Sequence, residues 1–212
     1  MYFIGDIHGK FQEYSTLLTN MDASIQLGDF GIFDQDDIVT LNHLNIPPQH
    51  RFIKGNHDSP ALCRTRSNYL GDIGFDKNTG IFYISGGFSI DKENRTIGVD
   101  WWEDEELPYA ILLENIEYFK QCKPEIVISH SCPSVVKPKF LRDPYKMSNS
   151  RTEAALSEMF EVHQPAYWIF AHYHTRQQFK VKKTNFVALQ ALWLGPRYGF
   201  PDPKSVIFEI KI

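Results

Sequence analysis

The sequence predicts an α/β fold, with a mixed sheet or a pair of sheets flanked by helices. Three observations predict it. Short apolar runs alternate with helix-like stretches along the first half of the 212 residues, the last stretch is nearly all strand, and the early strands each stop at a polar residue. Alternation of this kind is the signature of β/α layering. No internal repeat, low-complexity tract or long linker interrupts it, so residues 1–212 are read as one domain.

The first strand is expected at 2–4 and the first helix at 10–19. A strand at 24–27, a helix at 36–44 and a strand at 51–53 complete a β-α-β-α-β front. Strand-like runs at 81–84, 125–129 and 167–170 then interleave with helices at 103–120 and 150–162. The helix at 103–120 carries Leu107, Ile111, Leu112 and Tyr118 on one face and opens with Glu103-Asp104-Glu105-Glu106. Carboxylates in a first turn complement the helix dipole, so this acidic run is read as helix chemistry rather than as a metal site. Runs at 178–182, 185–189 and 206–210 make the strand-rich end.

Composition excludes several classes. A hydrophobic fraction of 42% and a charged fraction of 23%, with 13 Gly and 12 Pro, exclude a disordered, collagenous or coiled-coil chain. Acidic residues outnumber basic ones 26 to 22, a formal charge of −4, so no global positive field collects nucleic acid. No apolar run approaches the roughly 18 residues that span a bilayer, so no membrane partner is expected. The start MYFIGDIHG reads as a first strand rather than a signal peptide. Cys63, Cys122 and Cys132 are widely spaced, odd in number and without a CxxC pair, which fits reduced thiols in a cytoplasmic protein. Cys132 stands close to a candidate histidine but is read as a buried, inert thiol.

The informative pattern is what stops the strands. Gly5-Asp6-Ile7-His8-Gly9 follows the first, Gly28-Asp29 the second and Gly55-Asn56-His57-Asp58 the third. His130 follows a later strand and His172-Tyr173-His174 another. Asp6 and Asp29 are 23 residues apart, Asp29 and Asn56 are 27, and each interval holds one strand, one crossover helix and two loops. The blocks therefore fall on the same carboxyl-terminal edge of neighbouring parallel strands. Residues two apart on a strand share a face, so Asp6 with His8, and His172 with His174, can converge.

Two Asp, one Asn and four His at one rim, without thiolate, suit Mn, Fe, Zn or Ni. Seven donors exceed the shell of a single catalytic ion, and two ions sharing a carboxylate account for them better. A lone His after a strand is usually structural, and an Asp after Gly is usually a turn or a cap. Five such blocks in order, each at a strand end, outweigh that reading. His43, His50 and His163 lie outside every block and are given no role.

The order Asp6-x-His8, Gly28-Asp29, Gly55-Asn56-His57-Asp58, His130 and His172-x-His174 resembles the calcineurin-like metallophosphoesterase superfamily, in its bacterial or phage type. The resemblance runs from residue 6 to residue 174. It implies a four-layer α-β-β-α sandwich of two mixed sheets flanked by helices, with a dinuclear site at the strand ends. It also implies that Asp6, His8, Asp29 and His174 hold one metal ion, and that Asn56, His130 and His172 hold the second, with Asp29 bridging. His57 is left facing the substrate. Two divalent cations are expected as cofactors, Mn²⁺ ahead of Fe, Zn or Ni. Two close cations acidify a bridging water until its hydroxide attacks phosphorus, with His57 as general acid to the leaving oxygen. Asp58 is expected to orient His57 or the loop that carries it.

Departures from the family pattern narrow the substrate. Phosphoprotein phosphatases of the superfamily carry GDxxDRG where this chain has Gly28-Asp29-Phe30-Gly31-Ile32-Phe33-Asp34. The phosphate-gripping Arg and the Asp before it are missing, so a protein phosphatase is not expected. Ala171 stands where Gly is usual, a small-for-small change. The loop from Phe88 to Arg95 resembles loops near the site in bacterial and phage relatives, and Arg95 is the candidate substrate contact. Lys137, Lys139, Arg142, Lys146 and Arg151 read first as a solvated loop and second as a basic lip for nucleotide or nucleic-acid phosphates. Trp101 and Trp102 read as anchors of the following helix. The expected function is a phosphodiesterase acting on nucleotide, cyclic nucleotide or nucleic-acid substrates, followed by a phosphomonoesterase. A catalytically inert scaffold with the same fold is the alternative of another class.

Overall fold

A computed structural model describes residues 1–142, 150–195 and 197–211. In β1 (Tyr2–Ile4), β2 (Ser24–Leu27) and β3 (His50–Ile53), successive side chains face opposite ways, and the sheet they form buries apolar residues on both faces. Phe3, Ile25, Leu27 and Ile53 face inward and meet Ile81, Ile128, Ile169 and Val187 of a second sheet. Ile4 and Phe52 face outward, under Phe11, Tyr14 and Leu18 of α1 (Phe11–Leu18) and Leu41 of α2 (Gln35–Leu44). A capping box starts α2: Asp34 accepts from the amides of Asp36 and Asp37, and Asp37 accepts from that of Asp34.

The second sheet repeats the arrangement. Phe82 of β5 (Ile81–Ile84), Val127 of β6 (Ile126–Ser129), Trp168 of β7 (Tyr167–Phe170) and Phe186 of β9 (Thr184–Ala188) turn outward. They pack with Phe119 of α4 (Tyr109–Cys122) and with Leu156 and Phe160 of α5 (Arg151–Val162). Each fully buried Ile or Phe contributes roughly 1.5–3 kcal/mol. The layers therefore stack helix, sheet, sheet, helix.

The first sheet runs β10–β1–β2–β3, with β10 (Ile207–Glu209) antiparallel to β1 and the other pairs parallel. The second runs β4–β5–β6–β7–β9–β8. Its inner strands are parallel, and β4 (Ile73–Asp76) and β8 (Gln177–Val181) form antiparallel edges. Two short helices, α3 (Pro60–Cys63) and α6 (Pro203–Val206), fill connections. Among the described residues no helix is long and apolar enough to cross a membrane.

Two expectations are corrected, and one strand is added to those expected. The helix expected at 103–120 begins at Tyr109, because Pro108 takes the capping position in front of it. In the helix interior, Pro108 would remove a hydrogen bond and clash with the preceding turn, a cost of about 3 kcal/mol. The acidic run is therefore not a first turn: Glu106 accepts from Ser150 Oγ and, at 2.9 Å, from the Thr152 amide, so it caps α5 instead. Strand β4 escapes the apolar alternation because Gly74 and Asp76 dilute it. Gly74 is needed where Tyr83 crosses from β5, since a Cβ there would lie 2.6 Å from Tyr83 Oη. Trp102 packs on Phe33, ring centroids 6.1 Å apart.

Candidate metal centre

β1, β2 and β3 lead into Asp6–His8, Asp29 and Asn56–His57, while β6 and β7 lead into His130 and His172–His174. Packing of the two sheets brings these five ends together. Asp6, His8, Asp29 and His174 offer ligand atoms within 4.8 Å of one another, and so do Asp29, His130 and His172. Asp29 belongs to both groups. Asn56 joins the second through Oδ1, which lies 3.0 Å from His130 Nε2. All the donors named from the sequence meet at one rim.

The chain bends hard to achieve this. His8, Asp29, His172 and His174 adopt φ of 46°, 51°, 69° and 48°, in the left-handed region. Non-glycine residues held there cost of order 1–3 kcal/mol each, and strain concentrated on four neighbouring polar residues points to a functional site. Glycine supplies the space around them. A Cβ on Gly55 would lie 2.1 Å from Asp29 Oδ1, and one on Gly28 (φ +95°) would lie 2.5 Å from His130 Nδ1.

The polar atoms are arranged for cations. His130 Nδ1 lies 2.8 Å from the Leu27 carbonyl, a pure acceptor, so the imidazole proton sits on Nδ1 and Nε2 carries a lone pair. Facing that lone pair are Asn56 Oδ1 at 3.0 Å and Asp29 Oδ1 at 3.4 Å. His172 Nδ1 is 3.2 Å from the same nitrogen, and a positive ion would draw these converging donor atoms together. In the other group Asp6 Oδ2 is buried without a well-formed hydrogen bond, 3.0 Å from His174 Nε2. His8 Nε2 and His174 Nε2 approach to 2.9 Å. Imidazole, carboxylate and amide oxygen without thiolate fit a divalent cation in each group.

Electrostatics prepare the same donors. Burial pushes the His172 imidazole down to about 3, with a contribution from neighbouring His130. Burial also lowers His8. Both rings are therefore neutral near pH 7 and present lone pairs. Burial alone would raise Asp29, but the imidazoles of His130, His57 and His8 outweigh it and hold the carboxyl well below its usual range. Asp6 is lowered as well: burial opposes ionisation, and His174 and His130 overcome it.

Asp58 takes only one of its two expected roles. Its buried carboxylate accepts from the backbone amides of Gly31 at 2.6 Å, Gly55 at 2.8 Å, Phe30 at 3.0 Å and Ile32 at 3.2 Å. These bonds lock the Asp29 loop to the Asn56 loop, and none of them reaches His57. Asp58 therefore touches the loop that carries His57 and not the imidazole itself. Asp58→Ala would strand four buried donors; with hydrogen bonds to a charged group at roughly 1.5–3 kcal/mol each, we expect a loss of about 3 kcal/mol or more. Urea unfolding of the metal-free protein measures this, and a change below about 1 kcal/mol would contradict it.

His57 lies at the open side. Its amide donates to Asp29 Oδ1 at 2.8 Å, and its Nε2 is 4.0 Å from Asp29 Oδ2. The guanidinium of Arg95 lies across the ring, 2.7 Å from Nδ1 and 3.0 Å from Nε2. Asp91 grips that guanidinium through two bonds, at 2.9 and 2.8 Å, and Asp100 O accepts from it at 3.0 Å. A cleft of about 250 Å³ opens over Asp29, Asn56, His57, His172 and His174, with Phe88, Ile90, Asp91 and Tyr173 as walls.

The basic stretch does not form one surface. Lys137 is buried and its Nζ donates to Glu153 Oε2 at 2.8 Å and Oε1 at 3.0 Å. Tyr173 Oη, between His172 and His174 in sequence, donates to Glu153 Oε1 at 2.7 Å, and Ser131 Oγ does so at 3.1 Å. Arg151 donates to the Leu107 and Glu106 carbonyls, both at 2.8 Å. Lys139 and Arg142 are exposed, and Lys146 lies outside the described residues. Neither a solvated loop nor a basic lip describes Lys137, which is spent inside the fold, and the exposed Arg151 is tied to two backbone carbonyls. Cys132 is buried nearby, and burial pushes its thiol well up. Glu153, Ser89 and Glu105, all buried against the site's loops, carry no local sequence signal that marks them.

The sequence profile described as calcineurin-like phosphoesterase matches residues 1–176. Comparison with curated proteins gives no match. Among solved structures, a putative 5'-nucleotidase from Staphylococcus aureus, in complex with alpha-ketoglutarate, is similar over 90% of this chain, at 12% identity and a TM-score of 0.50. This chain spans 48% of that one, about half its length. Phosphopantetheinyl hydrolase from Mycobacterium tuberculosis is similar over 90% of this chain and 89% of its own, at 13% identity and a TM-score of 0.52. At such identities the likeness is one of fold.

Proposed function

This chain belongs to the calcineurin-like phosphoesterase family, and from that membership we propose that it is a metal-dependent phosphoester hydrolase with two divalent ions at the rim. The observation that carries the reading is the pair of donor groups sharing Asp29. Asp6, His8, Asp29 and His174 would hold one ion, and Asn56, His130, His172 and Asp29 the other; Mn²⁺ is proposed ahead of Fe, Zn or Ni, all four of which suit imidazole and carboxylate donors without thiolate. The bound ions supply Lewis acidity toward phosphoryl oxygens and acidify a coordinated water. β10 lies beyond the family-matched stretch yet pairs with β1, which supports residues 1–212 acting as one domain.

The chain's own residues do the rest. His57, at the mouth and beside Asn56, donates a proton to the departing oxygen. Arg95 lies against His57 and meets a phosphoryl oxygen from the same side. Its positive charge is matched by Asp91, which favours a phosphodiester, carrying one negative charge, over a dianionic monoester. Phe88 and Ile90 give the cleft an apolar wall against which a nucleobase can lie, so the substrates proposed are nucleotides, cyclic nucleotides or a nucleic-acid strand. The phosphomonoesterase reading draws on the similarity to a putative 5'-nucleotidase, a likeness of fold.

Metal removal followed by reconstitution tests this. Chelator-treated protein is expected to lose activity on bis(p-nitrophenyl) phosphate and to regain it with Mn²⁺. The diester should exceed p-nitrophenyl phosphate at least roughly tenfold in kcat/KM, a difference of about 1.4 kcal/mol in barrier. A preference for the monoester reverses the substrate assignment. Absence of turnover on both esters with Mn²⁺, Fe²⁺, Zn²⁺ or Ni²⁺ leaves the inert scaffold.

A further inference from the structure

Which atom of the Asn56 amide faces the second donor group decides whether that residue can bind an ion at all. The carbonyl oxygen has lone pairs; the NH₂ has only protons to offer. In this fold the choice is made two hydrogen bonds away. Asn56 Nδ2 donates to Ser89 Oγ at 2.9 Å, Ser89 Oγ donates to Glu105 Oε2 at 2.6 Å, and the Ser89 amide donates to Glu105 Oε1 at 3.1 Å. All three residues are buried. A carboxylate only accepts, and a serine hydroxyl has one proton. With that proton committed to Glu105, the Ser89 oxygen can only accept, so Asn56 must turn its NH₂ to Ser89 and its Oδ1 to His130 Nε2, 3.0 Å away.

Glu105 is itself held firmly. The Nζ of buried Lys54 donates to the Glu105 carbonyl at 3.0 Å. Gly86 (φ +87°) packs so close that a Cβ there would sit 2.2 Å from the same carbonyl. The carboxylate thus has a fixed origin as well as fixed partners, and it spends both oxygens on Ser89.

We infer that Glu105 is a positioning residue for the second ion: acting through Ser89, it locks the Asn56 amide with its oxygen toward the metal. The inference rests on the two-ion reading above. Outer partners of this kind change metal affinity by roughly 10–100-fold when removed.

Glu105→Gln tests it with almost no change of shape. The Ser89 amide still needs an acceptor, so the new Oε1 takes that place and Nε2 becomes a donor opposite Ser89 Oγ. The hydroxyl proton is displaced toward Asn56, whose amide turns and presents NH₂ to the second group. In equilibrium dialysis against Mn²⁺ with metal analysis, the unaltered chain is expected to take up two ions. Glu105→Gln should keep the first and bind the second at least roughly 10-fold more weakly, with loss of the spin-coupled signal in electron paramagnetic resonance. Adding Asn56→Asp to Glu105→Gln should restore the second ion, because a carboxylate offers oxygen in either direction.

Uptake of both ions by Glu105→Gln with unaltered affinity overturns the inference, as does a double variant that stays one ion short. Fewer than two ions on the unaltered chain overturns the two-ion reading, and the inference with it; that failure is recognisable because it precedes any substitution. If Glu105→Gln does not fold by circular dichroism, Ser89→Ala cuts the same link. It should weaken the second ion by a similar factor, and unchanged uptake there also overturns the proposal.

Discussion

Asp29→Ala is expected to bind neither ion tightly and to lose turnover by more than ~10³-fold, well beyond the roughly 10–100-fold cost of losing an outer partner. Of the described donors, Asp29 is the one that belongs to both groups. Its Oδ1 also accepts from the His57 amide at 2.8 Å, so the substitution frees the loop that carries Asn56 and His57. Alanine at φ 51° adds backbone strain that aspartate tolerates better. Asp29→Asn separates these effects, since it keeps a short polar side chain suited to that backbone while removing the charge and one of the two oxygens that could face the ions. The asparagine variant should fold, hold at most one ion and remain inactive. Metal analysis beside steady-state kinetics decides the matter. Two ions at unaltered affinity in either variant would show that Asp29 does not bridge.

The donors were legible because each lies within a few residues of the apolar run that positions it. Asp6, Asp29 and Asn56 follow β1, β2 and β3 closely, so reading the strands also located the ligands. The supporting residues offer no such handle. Ser89 lies 33 residues from Asn56 and 16 from Glu105, and only the packed fold joins them. Glu105 and Glu106 look like a helix start by composition, yet Pro108 ends that reading and both carboxylates serve tertiary partners. Lys137 illustrates the same limit: a lysine in a basic stretch looks solvated until Glu153 on α5 is brought against it. Local periodicity reveals strands and what terminates them, whereas a buried charge depends on a partner that proximity in sequence does not supply. Strand β4 fails for a related reason, because Gly74 is chosen for the Tyr83 ring that crosses it rather than for strand propensity.

His57→Ala should separate chemistry from metal binding, as no other substitution considered does. The imidazole is outside both donor groups, 4.0 Å from Asp29 Oδ2, while its backbone amide supplies the bond to Asp29 that alanine retains. Both ions should therefore stay. The rate should fall by roughly 10²–10⁴-fold on an alkyl phosphodiester, the range typical of a lost general acid. On a p-nitrophenyl ester the loss should be far smaller, because that leaving group departs without a proton. The comparison across leaving groups is decisive: a structural role for His57 would slow all esters alike, whereas proton donation slows the poor leaving groups selectively. Arg95 sharpens the argument, since Asp91 and Asp100 hold its guanidinium independently of the ring, and truncating His57 leaves the charge in position. Full activity of His57→Ala on the alkyl ester, with both ions bound, would remove His57 from the mechanism and leave departure of the leaving group to another proton source.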